Sequence, residues 1–567
     1  MAKYTIGLDY GTNSVRAIIV STRSGKTVGE HVWTYEHGQN GVILTGDPNL
    51  ARQHPADYLK GAEITIARAI RQAGKNHKKF SPADVVGIGV DTTGSTPMPA
   101  DSDGRPLALQ EKWDSHPAAM AWLWKDHTGV AEAEEITRLA AEHRPGYLAK
   151  CGGTYSSEWF FSKVLHCRRT SRQVFDAAYT WIELADWIPA ALTGTEHPEK
   201  FTACVCAAGH KAMYSDEWGG YPDAEFLGML DPALAELRGR LQQQARAIDQ
   251  TVGGLSDDWA ERTGLTSGIP VTVGAFDAHL GAVGAGIRPG TLVKVLGTSG
   301  CDMMVHPGDE PIADIPGLCG IVKGSILPGY WGLEAGQSAV GDLYNWFVNV
   351  ICPGGKKAGS HEKLTAGAAK LRPGQSGLLA LDWNHGNRTV LVDQRLTGLL
   401  LGQTLHTTPA EVYRALVEAT AFGALRIIER FEEYGVPVRD IVACGGIAEK
   451  NPMVMQIYAD VTNRPIRLSR SSQTCALGAA IAAAAAAGND AGGHDSIAEA
   501  QVAMSGLKKK VFHPKAENVD VYRRLYALYR QLHDCFGMTD WQGDCSNVMK
   551  ELIAIRDRTR DREQERS

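Results

Sequence analysis

The chain has 567 residues, 44% of them apolar and 22% charged, with a formal net charge of -6. A chain of this length exceeds one hydrophobic core, so we expect two or more domains, and its acidic balance argues against a nucleic-acid partner. It shows no signal-peptide pattern and no run of ~18 apolar residues that could span a membrane, and its 11 cysteines are scattered. These features predict a cytoplasmic globular protein with reduced thiols.

The N-terminal segment predicts a mixed sheet covered by helices. Residues 4–9 form an apolar run rich in strand formers, residues 11–14 predict a turn, and residues 15–21 predict a returning strand. Helical spacing follows Pro55, and a short apolar run at residues 85–91 predicts a buried strand. A hairpin followed by a helix and another buried strand indicates a sheet with helices packed against it.

The second half of the chain begins with the same pattern. Residues 291–296 predict a strand, residues 297–300 a turn and residues 301–306 a returning strand. Identity between the halves is faint, so an internal repeat is a hypothesis at this point. Turn-prone glycine and proline residues at 284–290 precede the second pattern and predict a domain boundary. The expected domains are residues 1–286 and residues 287–567.

The C-terminal third adds further elements. Residues 411–431 predict a long amphipathic helix, residues 441–444 a strand, and residues 452–462 a helix. The alanine run at residues 476–487 predicts a closely packed helix. Residues 550–567 are dense in charge and predict a solvated helix that frays, to which we assign no function.

Two glycine turns contain residue types that bind phosphate. Glycine lets backbone N–H groups approach a phosphate, and hydroxyl or amide side chains add donors. Each turn alone is equally consistent with an ordinary hairpin, but their joint occurrence favours a polyphosphate held from two sides. Asp9, beside the first turn, could hold Mg²⁺ through water, and no G-x-x-x-x-G-K-[ST] loop is present. The residues of the turns are Gly11, Thr12 and Asn13, and Gly297, Thr298 and Ser299.

Two further motifs lie at the ends of predicted strands. Gly445 and Gly446 leave bare backbone for a flat adenine or ribose, although a tight strand-to-helix turn would use the same residues. Asp277 follows an apolar strand at residues 269–273, close to the expected domain boundary. A carboxylate there could act as the base that a phosphoryl-accepting hydroxyl needs. His279 is the rival base, but a histidine in this position is more often a packing residue.

Together these motifs resemble the FGGY family of carbohydrate kinases over nearly the whole chain. The resemblance is carried by residues 9–14, 274–279, 295–299, 393–398 and 445–446. Longer segments are most similar to its ribulokinase branch, namely residues 123–128, 152–159, 206–211 and 334–338. Many family members have arginine where Lys125-Asp126-His127 stands, which disfavours a close match to glycerol or xylulose kinases.

The resemblance implies an α/β fold of two actin/Hsp70-like ATPase (ribonuclease H-like) domains with the active-site cleft between them. The N-terminal domain would bind the sugar and carry Asp277 as catalytic base, and the C-terminal domain would bind the nucleotide. ATP and Mg²⁺ are the implied cofactors. The implied phosphate contacts are Thr12, Asn13, Thr298 and Ser299, and the implied nucleotide contacts are Gly445, Gly446 and Asn451.

Five more residues are candidates for sugar contact, and three of them have a structural alternative. Lys211 could hold a sugar oxygen, although a surface salt bridge is the usual role of lysine. Glu334 could accept hydroxyl hydrogen bonds or be a solvated turn carboxylate. Asp126 could contact the sugar or simply cap the helix that follows it. Ser95 and Thr96 follow the strand that ends at residue 91, where a substrate loop would lie.

The expected reaction moves the γ-phosphoryl group of ATP to a terminal hydroxyl of a ketopentose or its polyol. By resemblance, L-ribulose is the first choice, followed by D-ribulose and ribitol. A nucleotide-driven binding protein of the actin or Hsp70 type is the alternative, while a dehydrogenase is disfavoured because no G-x-G-x-x-G follows the first strand. No membrane partner is expected, and the oligomeric state stays open, with a homodimer as one option.

Overall fold

The computed structural model describes residues 2–353 and 360–564. In these ranges the strands are β1 Tyr4–Tyr10, β2 Ser14–Ser21, β3 Thr27–Thr34, β4 Arg52–Gln53, β5 Val85–Thr92, β6 Pro97–Ala100, β7 Ala121–Trp122, β8 Thr180–Glu183, β9 Ala203–Cys204, β10 Ala245–Arg246, β11 Thr251–Gly254, β12 Pro270–Thr272, β13 Ala275–Phe276, β14 Thr291–Leu296, β15 Gly300–Pro307, β16 Gly320–Lys323, β17 Tyr330–Gln337, β18 Leu379–Leu381, β19 Leu399–Leu401, β20 Asp440–Cys444, β21 Ile466–Ser469 and β22 Leu507–Phe512. The α-helices are α1 Pro55–Asn76, α2 Val130–His143, α3 Pro145–Ala149, α4 Phe160–Thr170, α5 Arg172–Ala177, α6 Leu184–Thr193, α7 Val205–Ala212, α8 Ala224–Leu230, α9 Pro232–Arg238, α10 Asp257–Thr263, α11 Asp277–Gly284, α12 Gly341–Asn345, α13 His361–Ala368, α14 Pro409–Glu433, α15 Gly446–Lys450, α16 Pro452–Thr462, α17 Thr474–Ala487, α18 Ile497–Met504, α19 Ala516–Gly537 and α20 Val548–Gln564.

Two seven-stranded sheets have the same arrangement of strands. The first has the order β11-β12-β5-β1-β2-β3 with β13 beside β5, and the second has the order β22-β21-β20-β14-β15-β17-β16. In each sheet the first strand of an antiparallel meander, β1 or β14, is followed on its other side by two strands that run parallel to it. One antiparallel strand, β11 or β22, then forms the edge of the sheet. The internal repeat, which faint sequence identity left as a hypothesis, is therefore confirmed by the topology.

The two halves meet along helices made of small residues. Helix α17, from the second half, packs on β1 and β5 of the first sheet and on α11. A Cβ at Gly89 would lie 1.9 Å from the backbone oxygen of Ala479, and one at Gly478 would lie 1.8 Å from that of Leu280. The alanine run therefore forms the closely packed helix that its composition predicts. The expected domain boundary after residue 286 falls in the loop between α11 and β14.

The C-terminal helix differs from the solvated helix expected for residues 550–567. Leu552 and Ile555 of α20 are buried and belong to the large apolar cluster of the second half. The expected helix is present, but the prediction that it is solvated was wrong for the face that carries these apolar residues, because charged residues surround them in the sequence. Residues 565–567 of the expected helix lie outside the described residues. In the described ranges, no helix has the length and hydropathy needed to cross a membrane.

Candidate active site

Three carboxylates meet at one edge of the first sheet. Asp9 and Asp91 are the penultimate residues of the parallel strands β1 and β5 and are paired in register. Strand β13 also runs parallel to β5, with Ala275 opposite Asp91, and Asp277 follows it as the first residue of α11. Because the carboxyl ends of parallel strands lie at the same edge of a sheet, this topology brings the three side chains together.

Asp277 has the electrostatic properties of a proton acceptor. Burial raises the pKa of Asp277 to about 7, and the charges of Asp9 and Glu334 contribute to the rise, whereas the backbone N–H of Ala278 and the ammonium of Lys211 oppose it. The Ala278 N–H donates to Oδ1 of Asp277 at 2.6 Å. A carboxylate with a pKa near neutrality can both accept a proton and release it at ordinary pH.

Asp91 is a functional candidate that the sequence analysis did not single out. It is fully buried, and neither carboxylate oxygen has a hydrogen-bond partner among the described residues. Burial raises the pKa of Asp91 well above its usual range, and the charges of Asp9 and Asp277 raise it further. Burial also raises the pKa of Asp9, although Arg16 donates to its carboxylate at 2.8 Å. A cation among these carboxylates would stabilise their ionised forms.

The two glycine turns lie at the corresponding positions of the two sheets, between β1 and β2 and between β14 and β15. In the first turn, Thr12 accepts a hydrogen bond from the Trp124 indole at 3.0 Å, and the amide of Asn13 donates to the backbone of Asn40. In the second turn, the side chains of Thr298 and Ser299 make no hydrogen bond to any described residue. These two hydroxyls are therefore free to contact a ligand.

A cavity of about 1230 Å³ opens beside the second turn. Its wall includes Gly297, Thr298, Gly446 and Asn451. Asn451 also caps α16, since its Oδ1 accepts from the N–H of Val454 at 3.2 Å. Gly446 has open space where a side chain would stand, so backbone is presented directly to the cavity.

Gly445 has a different role in the geometry. Its φ of 92° favours glycine, and a Cβ there would lie 2.5 Å from the backbone oxygen of Leu296. Gly445 therefore lets β20 end tightly against β14, and it is not part of the cavity wall.

A second cavity, of about 650 Å³, lies beside Lys211 and Glu334. The ammonium of Lys211 donates to both carboxylate oxygens of Glu334, at 3.0 and 3.1 Å. Burial disfavours the charge on Glu334, but Lys211 and two histidines outweigh it and hold the pKa of Glu334 below its usual range. Glu334 is thus ionised, and the alternative of a solvated turn carboxylate is excluded because the residue is only 7% exposed. Trp159 lines the same cavity.

Two buried histidines lie behind this ion pair. Nδ1 of His210 is 3.3 Å and Nε2 of His279 is 3.7 Å from Oε2 of Glu334. Burial lowers the pKa of His279 to about 4, and burial also lowers that of His210, so both rings are neutral at ordinary pH. The three residues have the spacing of metal ligands, but both oxygens of Glu334 already pair with Lys211. His279 is a weaker base than Asp277 because of this low pKa.

The structure does not bring Ser95, Thr96 or Asp126 to the wall of the second cavity. Asp126 is fully buried and accepts from the N–H of Ala51 at 2.7 Å and from Arg52, so it holds two chain segments together. Ser95 donates to the carboxylate of Glu183, and the N–H of Thr96 donates to the same group at 2.8 Å.

Lys163 also contacts the segment that carries Ser95 and Thr96. It is fully buried and donates to the backbone oxygens of Ser95, Trp122 and Leu123 at 2.8, 3.2 and 3.0 Å. Sequence reasoning missed Lys163 and Glu183 because their partners lie far away along the chain.

The described geometry is that of two related domains, each with a glycine turn at the same position of its sheet, and two cavities beside the candidate residues. The profile of the FGGY family of carbohydrate kinases, N-terminal domain, matches residues 4–284, and that of its C-terminal domain matches residues 292–487. A ribulokinase of Shouchella clausii is 42% identical over 574 residues, which cover 99% of this chain and 99% of that protein. The chain belongs to the FGGY family of carbohydrate kinases.

Other relatives of this FGGY kinase agree with the assignment. A ribulokinase of Mycolicibacterium smegmatis is 42% identical over 550 residues and 94% of each chain. The solved xylulose kinase of Rhodospirillum rubrum has a TM-score of 0.75 at 24% identity, covering 94% of this chain and 100% of that chain. A glycerol kinase of Plasmodium falciparum with ADP has a TM-score of 0.76 at 15% identity, with coverage of 95% and 99%. The predicted two-domain ATPase-like fold is confirmed.

Membership of the FGGY family fixes the class of reaction. The chain is a phosphotransferase with an alcohol group as acceptor, and its family implies ATP as the co-substrate. The resemblance to FGGY kinases expected from the sequence motifs, and to their ribulokinase branch, is confirmed.

Proposed function

We propose that this chain transfers the γ-phosphoryl group of ATP to a terminal hydroxyl of ribulose, with L-ribulose as the first choice of isomer. The observation that carries the proposal is the position of Asp277, at the sheet edge where β1 and β5 end and where Asp9 and Asp91 lie. Asp9, Lys211 and Glu334 all influence the pKa of its carboxyl group, which is about 7. Asp277 lines neither cavity, but Lys211 and Glu334, which line the sugar cavity, both influence its pKa. The names of the full-length relatives support ribulose as the sugar.

In the proposed reaction, Asp277 accepts the proton of the sugar hydroxyl as the hydroxyl oxygen attacks the γ-phosphorus. The bond from that phosphorus to the oxygen bridging the β-phosphate breaks, and ADP leaves. The transition state of phosphoryl transfer is loose, so positioning and charge stabilisation matter more than the strength of the base. Removing a general base commonly costs a factor of about 10² to 10⁴ in rate. The protonated carboxyl group then loses its proton to water when the product leaves.

The triphosphate would lie between the two glycine turns. Thr12, Asn13, Thr298 and Ser299 would contact its oxygens, and Gly446 and Asn451 would support the nucleoside, while Gly445 would only allow the tight turn that precedes them. The free hydroxyls of Thr298 and Ser299 support this assignment. Mg²⁺ would neutralise charge on the phosphate oxygens, and Asp9 fits such an ion through water because buried carboxylates at this edge lack sufficient counter-charge.

The sugar would lie in the cavity beside the Lys211–Glu334 ion pair. Lys211 donates hydrogen bonds and Glu334 accepts them. The pair can therefore recognise two neighbouring hydroxyl groups, one that accepts a hydrogen bond and one that donates it. We do not extend the proposal to Ser95, Thr96 and Asp126, because their polar groups are occupied by other protein groups.

The division of labour between the domains is part of the same proposal. Residues 1–286 would supply the base and most of the sugar site, and residues 287–567 the nucleotide site together with Glu334. A cytoplasmic location and a homodimer stay predictions from the sequence.

The experiment that tests this function is a sugar panel with purified protein. The protein is mixed with Mg-ATP and L-ribulose, D-ribulose, ribitol, D-xylulose or glycerol, and release of ADP is followed. We expect turnover that depends on the sugar and a higher kcat/KM for a ribulose isomer than for glycerol. Turnover with D-xylulose or glycerol but with neither ribulose isomer would contradict the proposal.

A further inference from the structure

Arg388 presents to the sugar cavity a guanidinium that has a long ion pair with Glu158 but no hydrogen bond to a described residue. Its side chain is 19% exposed and lines the cavity together with Lys211, Glu334 and Trp159. The nearest acid is Glu158, whose Oε1 lies 3.6 Å from a guanidinium nitrogen, which is beyond hydrogen-bond distance. The Arg388 side chain makes no hydrogen bond to any residue in the described ranges, although a guanidinium has five N–H donors.

The backbone around Arg388 is fixed. Asn387 and Asp393 exchange backbone hydrogen bonds of 2.8 and 2.9 Å, which close the loop that contains Arg388. The hydroxyl of Thr389 accepts from the N–H of Gly336 at 3.2 Å, on the strand that carries Glu334. The guanidinium is therefore held beside the sugar site by a rigid support, and ligand binding need not order it.

The charge of Arg388 is retained despite its partial burial. Burial opposes the charge, but Glu158 and other nearby groups, including Glu334, outweigh it and raise the pKa of Arg388. A desolvated guanidinium without acceptors is unfavourable, so oxygen atoms of a ligand are the expected partners. Its planar fork suits two neighbouring oxygens better than the single point charge of a lysine does.

We propose that Arg388 is a specificity-determining residue that donates hydrogen bonds to two neighbouring oxygens of the bound sugar. Arg388 belongs to the second half of the chain, whereas Lys211 and Trp159 belong to the first. A sugar in this cavity would then be held by both halves, with Asp277 acting on its reacting hydroxyl. This inference rests on the proposed function and adds a residue that no sequence motif indicates.

The test compares Arg388→Gln and Arg388→Lys with the wild-type protein, using L-ribulose and D-ribulose with Mg-ATP. We expect Arg388→Gln to raise KM for the sugar about 10- to 100-fold while KM for ATP changes less than about twofold. Arg388→Lys keeps the charge but not the fork, so its sugar KM should stay at least about fivefold above wild type. The exposed Arg172→Gln is the matched control and should leave both constants unchanged.

A sugar KM within about twofold of wild type in Arg388→Gln would overturn the proposal. Full recovery by Arg388→Lys would also overturn it, because a simple charge pair with Glu158 would explain that result. Should Arg388→Gln fail to fold, as judged by thermal unfolding, Arg388→Lys alone decides between these outcomes. If the wild type phosphorylates neither ribulose isomer, the proposed function fails, and the same KM ratio measured with the sugar that does support turnover decides the role of Arg388.

Discussion

Replacing Glu334 with glutamine would leave the Lys211 ammonium buried without its counter-ion. Lys211 and Glu334 are 6% and 7% exposed, and the ammonium lies 3.0 and 3.1 Å from the two carboxylate oxygens. The adjacent His210 and His279 are neutral and cannot replace either charge. Removing one partner of such a buried pair typically costs about 3–5 kcal/mol, whereas removing both costs far less.

We therefore expect Glu334→Gln and Lys211→Met each to lower the free energy of unfolding by about 3 kcal/mol or more. The double variant should lose at least about 2 kcal/mol less than the sum of the two single losses. The four proteins are compared by urea unfolding followed by tryptophan fluorescence. Losses that add within about 0.5 kcal/mol would refute the reasoning, because they would mean that the two charges do not interact.

An exposed ion pair provides the control for this cycle. Lys60 and Glu36 are 2.6 Å apart, but their side chains are 51% and 55% exposed. Glu36→Gln and Lys60→Met, alone and together, should give a coupling free energy of only about 0.2–1 kcal/mol, because water screens exposed charges.

Three other predictions concern pH, nucleotide and packing. Below about pH 7, kcat/KM should fall about tenfold per pH unit, because Asp277 with its pKa of about 7 must be ionised to accept a proton. Initial rates measured from about pH 5 to about pH 8 that show no such fall would contradict this prediction. Ser299→Ala should raise KM for ATP about two- to tenfold and leave the sugar KM unaltered, and an unchanged KM for ATP would remove Ser299 from the phosphate site. Gly478→Ala should lower the thermal unfolding midpoint, because its Cβ would lie 1.8 Å from the backbone oxygen of Leu280, whereas Gly74→Ala, which meets nothing within 4 Å, should not.

The parts of the fold that follow local rules could be predicted from the sequence. Both glycine turns stand between strands because their residues favour tight turns, and the repeated strand–turn–strand pattern revealed the repeated sheet. Asp277 could be found because an acid after a buried strand lies at the edge where parallel strands end. Each of these inferences needs only a few consecutive residues.

The remaining features depend on partners that are distant along the chain. Asp126 accepts a hydrogen bond from Arg52, and Ser95 donates one to Glu183. No local sequence pattern could reveal either contact. Asp91 closes the predicted strand, but only the register with Asp9 shows that its buried carboxyl group belongs to the site. Arg388 lies in an irregular loop that one hydrogen bond, from Gly336 to Thr389, ties to strand β17.

The most direct test of the proposed chemistry is Asp277→Asn, which keeps the shape of the side chain but removes its ability to accept the proton. Turnover with saturating ribulose and ATP should fall by about 10² to 10⁴, while ATP affinity measured by calorimetry should change little. Turnover close to that of the wild type would show that the sugar hydroxyl is activated by some other group.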